Sequence, residues 1–464
     1  MRRCARTWGN AMHWAFLAAW TLACPGACSD GAANSGVDSG EDAGADSGVA
    51  GDEQCVGKPD FTRCNVVTSP DWSYDICNAG FCKSPGCGYD KSCNVPGPAY
   101  PLPDTGLTLC YTDAADAGVC SGEAGATDCA TIPFCGQDAQ YPGDVPNRYT
   151  RNLEVAGEPV VDDGLTGLSW QGCPIGRSGD DCGDGEVSKA KIWPDALERC
   201  EQSTWGGFDD WRLPGPHELW SLLDRIENDP PLDPDAFPGW SSVEINKMCT
   251  SSYHRLNELS GDHEFTVISL EDLDVMSMRE DESCSVVCVR GDPAVMPLER
   301  FARTEPAAGE PTVLDHVTGL VWQGCTGGLS GADCQTGEAT QLGWEEALSY
   351  CEGLDWGGAT DWRLPNVQEL FSIVDDRCDV ADGEACIDNE AFPATSINRF
   401  FWTSTSLPRP PFEEPNIPFG LGKAFEVGFF LGDADTSYKP PGDEFDTDGY
   451  EPVEHPFFLV RCVR

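Results

Sequence analysis

Positive charge is what this sequence has least of. Its 464 residues carry 29 Lys and Arg against 78 Asp and Glu, a formal net charge of −49. A deficit of that size repels nucleic acid and anionic lipid at long range, so neither is an expected partner. It leaves two uses for the acids: a solvated surface, or carboxylates that hold a divalent cation. Histidine is also scarce, with six residues, and His13 sits in the N-terminal apolar segment. His217-Glu-Leu-Trp lacks the second His of a zinc-protease helix. No nucleophile elbow, P-loop or dinucleotide glycine motif occurs. No long hydrophobic run occurs either. The one apolar stretch, Ala11 to Ala23, is too short to span a bilayer. No catalytic residue is therefore assigned, and the chain is not expected to be an enzyme.

The short apolar stretch follows Arg2 and Arg3, the order of a signal peptide. Gly26-Ala27-Cys28 after it resembles the lipobox of bacterial lipoproteins, with Pro25 where Leu is usual, and Thr21-Leu22-Ala23-Cys24 is the alternative. Cysteine parity favours Cys28. Cleavage there removes Cys4 and Cys24 from the 25 cysteines and, with Cys28 lipidated, leaves an even number to pair. Lipidation at Cys24 leaves an odd one. The expected location is the outer membrane or cell surface through a lipid anchor, with Ser29 compatible with outer-membrane sorting; plain secretion is the alternative.

The chain divides by composition. Residues 1–27 read as signal peptide and 28–54 as a disordered acidic tether of Gly, Ala, Ser and Asp. Residues 55–95 are a cysteine-rich module whose spacing, dense between Cys77 and Cys93, suits disulfides in an oxidising compartment. Residues 96–292 hold a first repeated domain with an N-terminal extension, and 293–464 a second.

The repeat is the main feature. Asp163-Gly-Leu-Thr-Gly-Leu-Ser-Trp170-Gln-Gly-Cys173 returns as Asp315-His-Val-Thr-Gly-Leu-Val-Trp322-Gln-Gly-Cys325. Trp193-Pro-Asp-Ala-Leu-Glu-Arg-Cys200 returns as Trp344-Glu-Glu-Ala-Leu-Ser-Tyr-Cys351. Trp205-Gly-Gly-Phe-Asp-Asp210-Trp211-Arg212-Leu-Pro214 corresponds to Trp356-Gly-Gly-Ala-Thr-Asp361-Trp362-Arg363-Leu-Pro365, the two differing only at the pair before the shared Asp. His217-Glu218-Leu matches Gln368-Glu369-Leu, and Cys288-Val-Arg290 matches Cys462-Val-Arg464 at the chain end. Each unit is expected to begin before its Thr-Gly-Leu and to close at Cys-Val-Arg.

The cysteines follow the repeat. Cys173, Cys182, Cys200 and Cys288 correspond to Cys325, Cys334, Cys351 and Cys462. Four cysteines allow three pairings. The favoured one joins Cys200 to Cys288 and Cys351 to Cys462, with short loops 173–182 and 325–334, because the long bridges restrict the unfolded chain most. Cys249 with Cys284, and Cys378 with Cys386, are left as one private pair in each copy. Apolar spacing predicts helices at Trp193–Cys200 and Trp344–Cys351, then at Pro216–Ile226 and Val367–Asp375. Strands are expected at Leu165–Gln171, Leu320–Gln323, Trp402 onward and Ala424–Leu431. The expected fold class is α+β: two tandem disulfide-bonded domains after a small cysteine-rich segment.

Thr-Gly-Leu-x-Trp-Gln, Trp-x2-Ala-Leu-x2-Cys, Asp-Trp-Arg-Leu-Pro-x3-Glu-Leu and the closing Cys-Val-Arg resemble the DUF1566 family, also known as the C-terminal domain of the Legionella collagen-like adhesin. The resemblance covers most of 160–291 and 312–464. It implies a surface-exposed domain, often on lipoproteins, and a glycan or an envelope or extracellular protein as partner. The adhesin's domain binds sulfated glycosaminoglycans, and this acidic chain departs there, since polyanion binding needs a basic surface. The order of motifs is also similar to C-type-lectin-like and formylglycine-generating-enzyme-like folds, an analogy of fold. The alternatives to a binding module are a structural envelope protein and, behind it, a formylglycine-generating-enzyme-like enzyme.

Two readings concern side-chain chemistry. Arg212 and Arg363 are expected to pair internally, with Glu218 and Glu369 as partners, beside core Trp170, Trp211, Trp322 and Trp362. Calcium is the expected cation. Glu444, Asp446 and Asp448 before Gly449 resemble half of an oxygen-ligand loop, with Asp180, Asp181, Asp184 and Glu186, and Asp433 with Asp435, as further candidates.

Overall fold

A computed structural model describes residues 102–105, 107, 135–141, 148–224, 231–240, 246–255, 263–271, 273–279, 281–291, 300–375, 385–407, 423–430, 432–438 and 457–464, together with short strands between residues 63 and 119. All of them belong to one compact unit, residues 51–464. Cys28 and the Glu444, Asp446 and Asp448 loop lie outside the described residues.

The first copy runs β1 (Tyr149–Asn152), β2 (Val160–Asp163), β3 (Ser169–Gln171), α1 (Trp193–Glu201), α2 (Pro216–Trp220), β4 (Lys247–Arg255), β5 (His263–Ser269), β6 (Val275–Arg279) and β7 (Val289–Arg290). The second repeats the order as β8 (Phe301–Ala307), β9 (Glu310–Asp315), β10 (Val321–Gln323), α3 (Trp344–Glu352), α4 (Val367–Ser372), β11 (Phe400–Ser406), β12 (Lys423–Gly428) and β13 (Ala434–Tyr438). The body is β-rich with few, short helices.

Each copy opens with an antiparallel meander, β1-β2-β3 or β8-β9-β10, and the closing Cys-Val-Arg returns beside its last strand. Val289 pairs with Trp170, and Val463 bridges Trp322. The chain end of each copy is thus a strand of that copy's first sheet. The signature arginines sit on the other side of the returning strand: Arg212 and Val289 exchange backbone hydrogen bonds at 2.9 Å, as do Arg363 and Val463.

The second sheet does not belong to either copy alone. Its six strands run β4-β5-β6-β13-β12-β11, a palindromic order joined at Val275 and Ala434. The apolar face beneath it is continuous across the junction. Leu219, Trp220, Leu222, Leu223 and Val275 of the first copy share one buried cluster with Val367, Leu370, Phe371, Phe429 and Ala434 of the second. The helices α2 and α4 meet there, with the Trp220 and Phe371 ring centroids 5.3 Å apart. Each copy keeps a smaller core of its own beneath its longer helix, around Trp193 and Cys200 or around Trp344 and Cys351.

The second helices end before the sequence pattern does. In place of the expected Pro216–Ile226 and Val367–Asp375, α2 stops at Trp220 and α4 at Ser372. Leu222 and Leu223 donate back only three residues, to Leu219 and Trp220, and Asp224 donates to Pro231. Ile373, Val374 and Asp375 do the same, to Leu370, Phe371 and Cys386. The apolar spacing continues while the backbone tightens and turns to another segment. Among the described residues no helix is long and apolar enough to cross a membrane.

Candidate functional site

The repeated Asp-Trp-Arg-Leu-Pro motif is occupied with holding its own domain together. Arg212 donates through Nη1 and Nη2 to both oxygens of Glu218, at 2.7 and 2.6 Å, and Arg363 forms the same fork with Glu369 at 2.6 Å twice. Each glutamate also accepts the backbone N–H at the start of its helix, from Gly215 or Asn366 at 2.8 Å. One buried fork therefore fixes the closing strand, the signature and the N-terminus of α2 or α4 at once.

The motif's aspartates face outward to the same strand. Asp210 accepts from Nε and Nη2 of Arg290, and both oxygens of Asp361 accept from Nη1 of Arg464, so each Asp grips the Arg that ends Cys-Val-Arg. The hydrogen bonds from Arg290 and Arg464 hold these carboxyls below the usual range. The motif's tryptophans donate to backbone: Trp211 to Trp205 O at 2.9 Å and Trp362 to Trp356 O at 3.1 Å. Both glycines of Trp-Gly-Gly have positive φ, 64° and 80° in the first copy and 60° and 77° in the second. A Cβ on Gly206 would stand 2.5 Å from Val160 and one on Gly357 2.8 Å from Thr312. That is why the pair is Gly-Gly in both copies.

Disulfides join Cys173 to Cys182, Cys200 to Cys288, Cys325 to Cys334 and Cys351 to Cys462. Cys249 is bridged to Cys284. Cys386 is disulfide-bonded, and Cys378 lies outside the described residues. The private pairs are not counterparts. Register places Trp402 where the first copy has Cys249, and Phe458 where it has Cys284: Cys249 and Trp402 donate to Ser285 and Leu459, and Ala190 and Leu342 to Cys284 and Phe458. The Trp402 and Phe458 ring centroids lie 4.6 Å apart with the planes tilted by 53°, an aromatic contact in the position of a covalent one.

Four arginines ahead of Thr-Gly-Leu, two in each copy, also matter. Arg148 and Arg300 fork onto buried Asp163 and Asp315. Arg151 and Arg303 reach the short disulfide loop, donating to Asp180 O or Ala332 O and to the sulfur of Cys182 or Cys334. The signal was present as Arg148-Tyr-Thr-Arg151 against Arg300-Phe-Ala-Arg303, 152 positions apart like Trp170 and Trp322.

Cation chemistry is not assembled at the described candidates. Among the described residues no three His, Cys, Asp or Glu side chains group as metal ligands. Asp180 and Asp181 accept the backbone N–H of Gly157 and Gly183 at the disulfide loop. Asp433 and Asp435 flank Glu426 on neighbouring strands without forming a ligand set. Burial, with the charges of Asp435 and Asp433 adding to it, pushes the Glu426 carboxyl up to about 8.

Residues 135–141, which precede the first copy in the chain, contact the second. Buried Asp138 accepts from Thr105 and from Thr405 on β11, both at 2.7 Å. Burial raises its carboxyl to about 6. Tyr141 donates to Glu352, and the Arg363 guanidinium lies 5.2 Å from its ring.

The copies diverge most sharply beside the long bridge. Arg461, next to Cys462, takes the place of Val287, next to Cys288. Phe392-Pro-Ala-Thr395 stands for Phe237-Pro-Gly-Trp240, and Cys325-Thr326 for Cys173-Pro174. Two core side chains and a proline in the first copy thus become an arginine and two threonines in the second.

Residues 159–290 and 311–439 match the Lcl C-terminal domain, and no curated protein matches the chain. The two matches together span more than half of the sequence and contain the forks, the short disulfide loops and the Trp-Gly-Gly turns of both copies. The chain belongs to the Lcl C-terminal domain family, as two tandem copies joined into one body.

Proposed function

We propose that this protein is an exported lipoprotein of the outer membrane or cell surface, anchored through Cys28, whose two-copy body is a binding or adhesion module for a glycan or for an envelope or extracellular protein. Membership of the Lcl C-terminal family supports an adhesin-related role. The observation that carries the reading is the complete internal use of the signature: Arg212, Arg363, Asp210 and Asp361 each face a partner within the fold. Recognition then falls to the loops in which the copies differ. The bridge from the first helix to the last strand fits a C-type-lectin-like scaffold, where loops above a small sheet carry specificity. No catalytic role belongs to this reading. The charge of −49 directs it toward neutral glycans and proteins and away from polyanions. Two copies on one tethered body would bind repetitive surfaces with added avidity.

The test is a glycan array and a cell-wall pulldown with the purified mature protein, with and without calcium. Saturable binding in either supports the proposal. Absence of binding in both, with extensive cross-linking to copies of itself in intact cells, replaces it with a structural envelope role. Mass spectrometry of the mature protein checks the anchor: a lipid on Cys28 is expected, and an unmodified N-terminus contradicts it.

A further inference from the structure

The exchange beside the long bridge leaves a buried cation without a counter-charge. The Arg461 side chain is fully buried, and Val287 occupies its place in the first copy. Its Nη2 donates to Thr395 Oγ1 at 2.8 Å and to Thr326 Oγ1 at 3.4 Å, and Thr395 in turn donates to Phe392 O. The rings of Phe392 and Phe401 lie 4.6 and 5.8 Å from the guanidinium carbon. Its Nε and Nη1 have no hydrogen-bond partner. Among the described residues no carboxylate pairs with it, and the charge that bears on it is that of Arg303, of the same sign. Burial, with Arg303 adding to it, draws the guanidinium down to about 9, which still leaves it charged at neutral pH. Buried charges in folded proteins are paired, and buried donors are satisfied.

We propose that the second copy holds a small monatomic anion, chloride, against the Arg461 guanidinium, and that the first copy, with Val287 and Trp240 in the same places, holds none. Three features favour chloride over a larger anion. The site offers donors, the unpaired Nε and Nη1 of Arg461, and a monatomic anion requires nothing else. Arg461 and Thr395 together are less bulky than the Val287 and Trp240 in the same places, which favours an occupant no larger than a single atom. Phe392 and Phe401 face the guanidinium and the side chain is fully buried, which disfavours a polyatomic ligand. The site neutralises a charge next to Cys462 and fixes the end of the chain against β11, where Trp402 donates to Leu459 O.

The experiment is bromide substitution in crystals of the full chain, read by anomalous scattering. A peak in contact with Arg461, with none at Val287, is expected; a water or a protein carboxylate at Arg461 overturns the proposal. A solution measurement accompanies it. The melting temperature should rise with sodium chloride relative to sodium gluconate at equal ionic strength. The Arg461→Val, Thr395→Trp double variant, which restores two of the first copy's three residues there, should lose that difference. An anion-independent melting temperature in the unaltered protein, or a chloride effect that persists in the variant, contradicts the site.

Discussion

Arg212 and Glu218 show how a motif that looks like a ligand site becomes a structural joint. The fork is buried, so removal of one member strands the other's charge. Arg212→Ala is expected to cost about 3–5 kcal/mol in urea unfolding, while the Arg212→Leu, Glu218→Leu double variant costs clearly less. An Arg212 whose loss leaves stability unchanged would return the motif to the candidate ligand sites. The pairing of Arg212 and Arg363 with the following Glu was legible, because a charged residue set among Trp, Leu and Pro needs a near partner. The pairing of Asp210 with Arg290 was not, since sequence separation hides which strand returns. Asp138 makes a pH prediction. Its carboxyl titrates near 6 in place and near 3.8 when free, so docking of the extension favours the protonated form. The stabilisation is fully present below about pH 4 and is lost as pH rises through 6, by up to about 3 kcal/mol. The protection factors of residues 135–141, with the intrinsic pH dependence of exchange divided out, should rise on acidification across this window, and Asp138→Asn should flatten the dependence.

The bridges differ in what they enclose. Cys200–Cys288 closes a separation of 88 residues and Cys173–Cys182 one of 9. Loop entropy predicts a loss of about 4–5 kcal/mol for Cys200→Ala with Cys288→Ala and under about 3 kcal/mol for the short pair, measured by denaturant unfolding. A turn carries a smaller prediction. Ala394 adopts φ 58° where the first copy has Gly239 at φ 75°. Ala394→Gly should raise stability by up to about 1 kcal/mol, the relief of a left-handed conformation less the added backbone entropy. Element types and their order were legible from Trp and Leu spacing. The ends of α2 and α4 were not, because Leu222 and Val374 keep helical spacing while the backbone leaves the helix to bond Pro231 or Cys386. The aromatic substitute for Cys249–Cys284 was equally hidden: only the register of β11 against the closing segment shows that Trp402 and Phe458 stand in the place of two cysteines.

At the scale of the molecule, tandem copies in sequence proved to be two halves of one core. Nothing in the periodicity distinguishes an apolar residue buried within its own copy from one buried by the other, so Leu219 and Phe371 fit either arrangement. One position where the helix motif changes, His217 against Gln368, lies on the junction. His217 Nε2 is 3.1 Å from Val374 O, and Gln368 Nε2 donates to Trp220 O at 3.4 Å. Each helix thus reaches the other copy's backbone with a different side chain, as an isologous contact allows once its halves are covalently joined and free to diverge. A shared sheet and a shared core require the copies to unfold together. Differential scanning calorimetry of the oxidised mature protein tests this most directly. The account predicts a single transition across both copies, with the calorimetric enthalpy equal to the van't Hoff enthalpy. Two resolved transitions, each abolished separately by Trp170→Ala or Trp322→Ala, would contradict it.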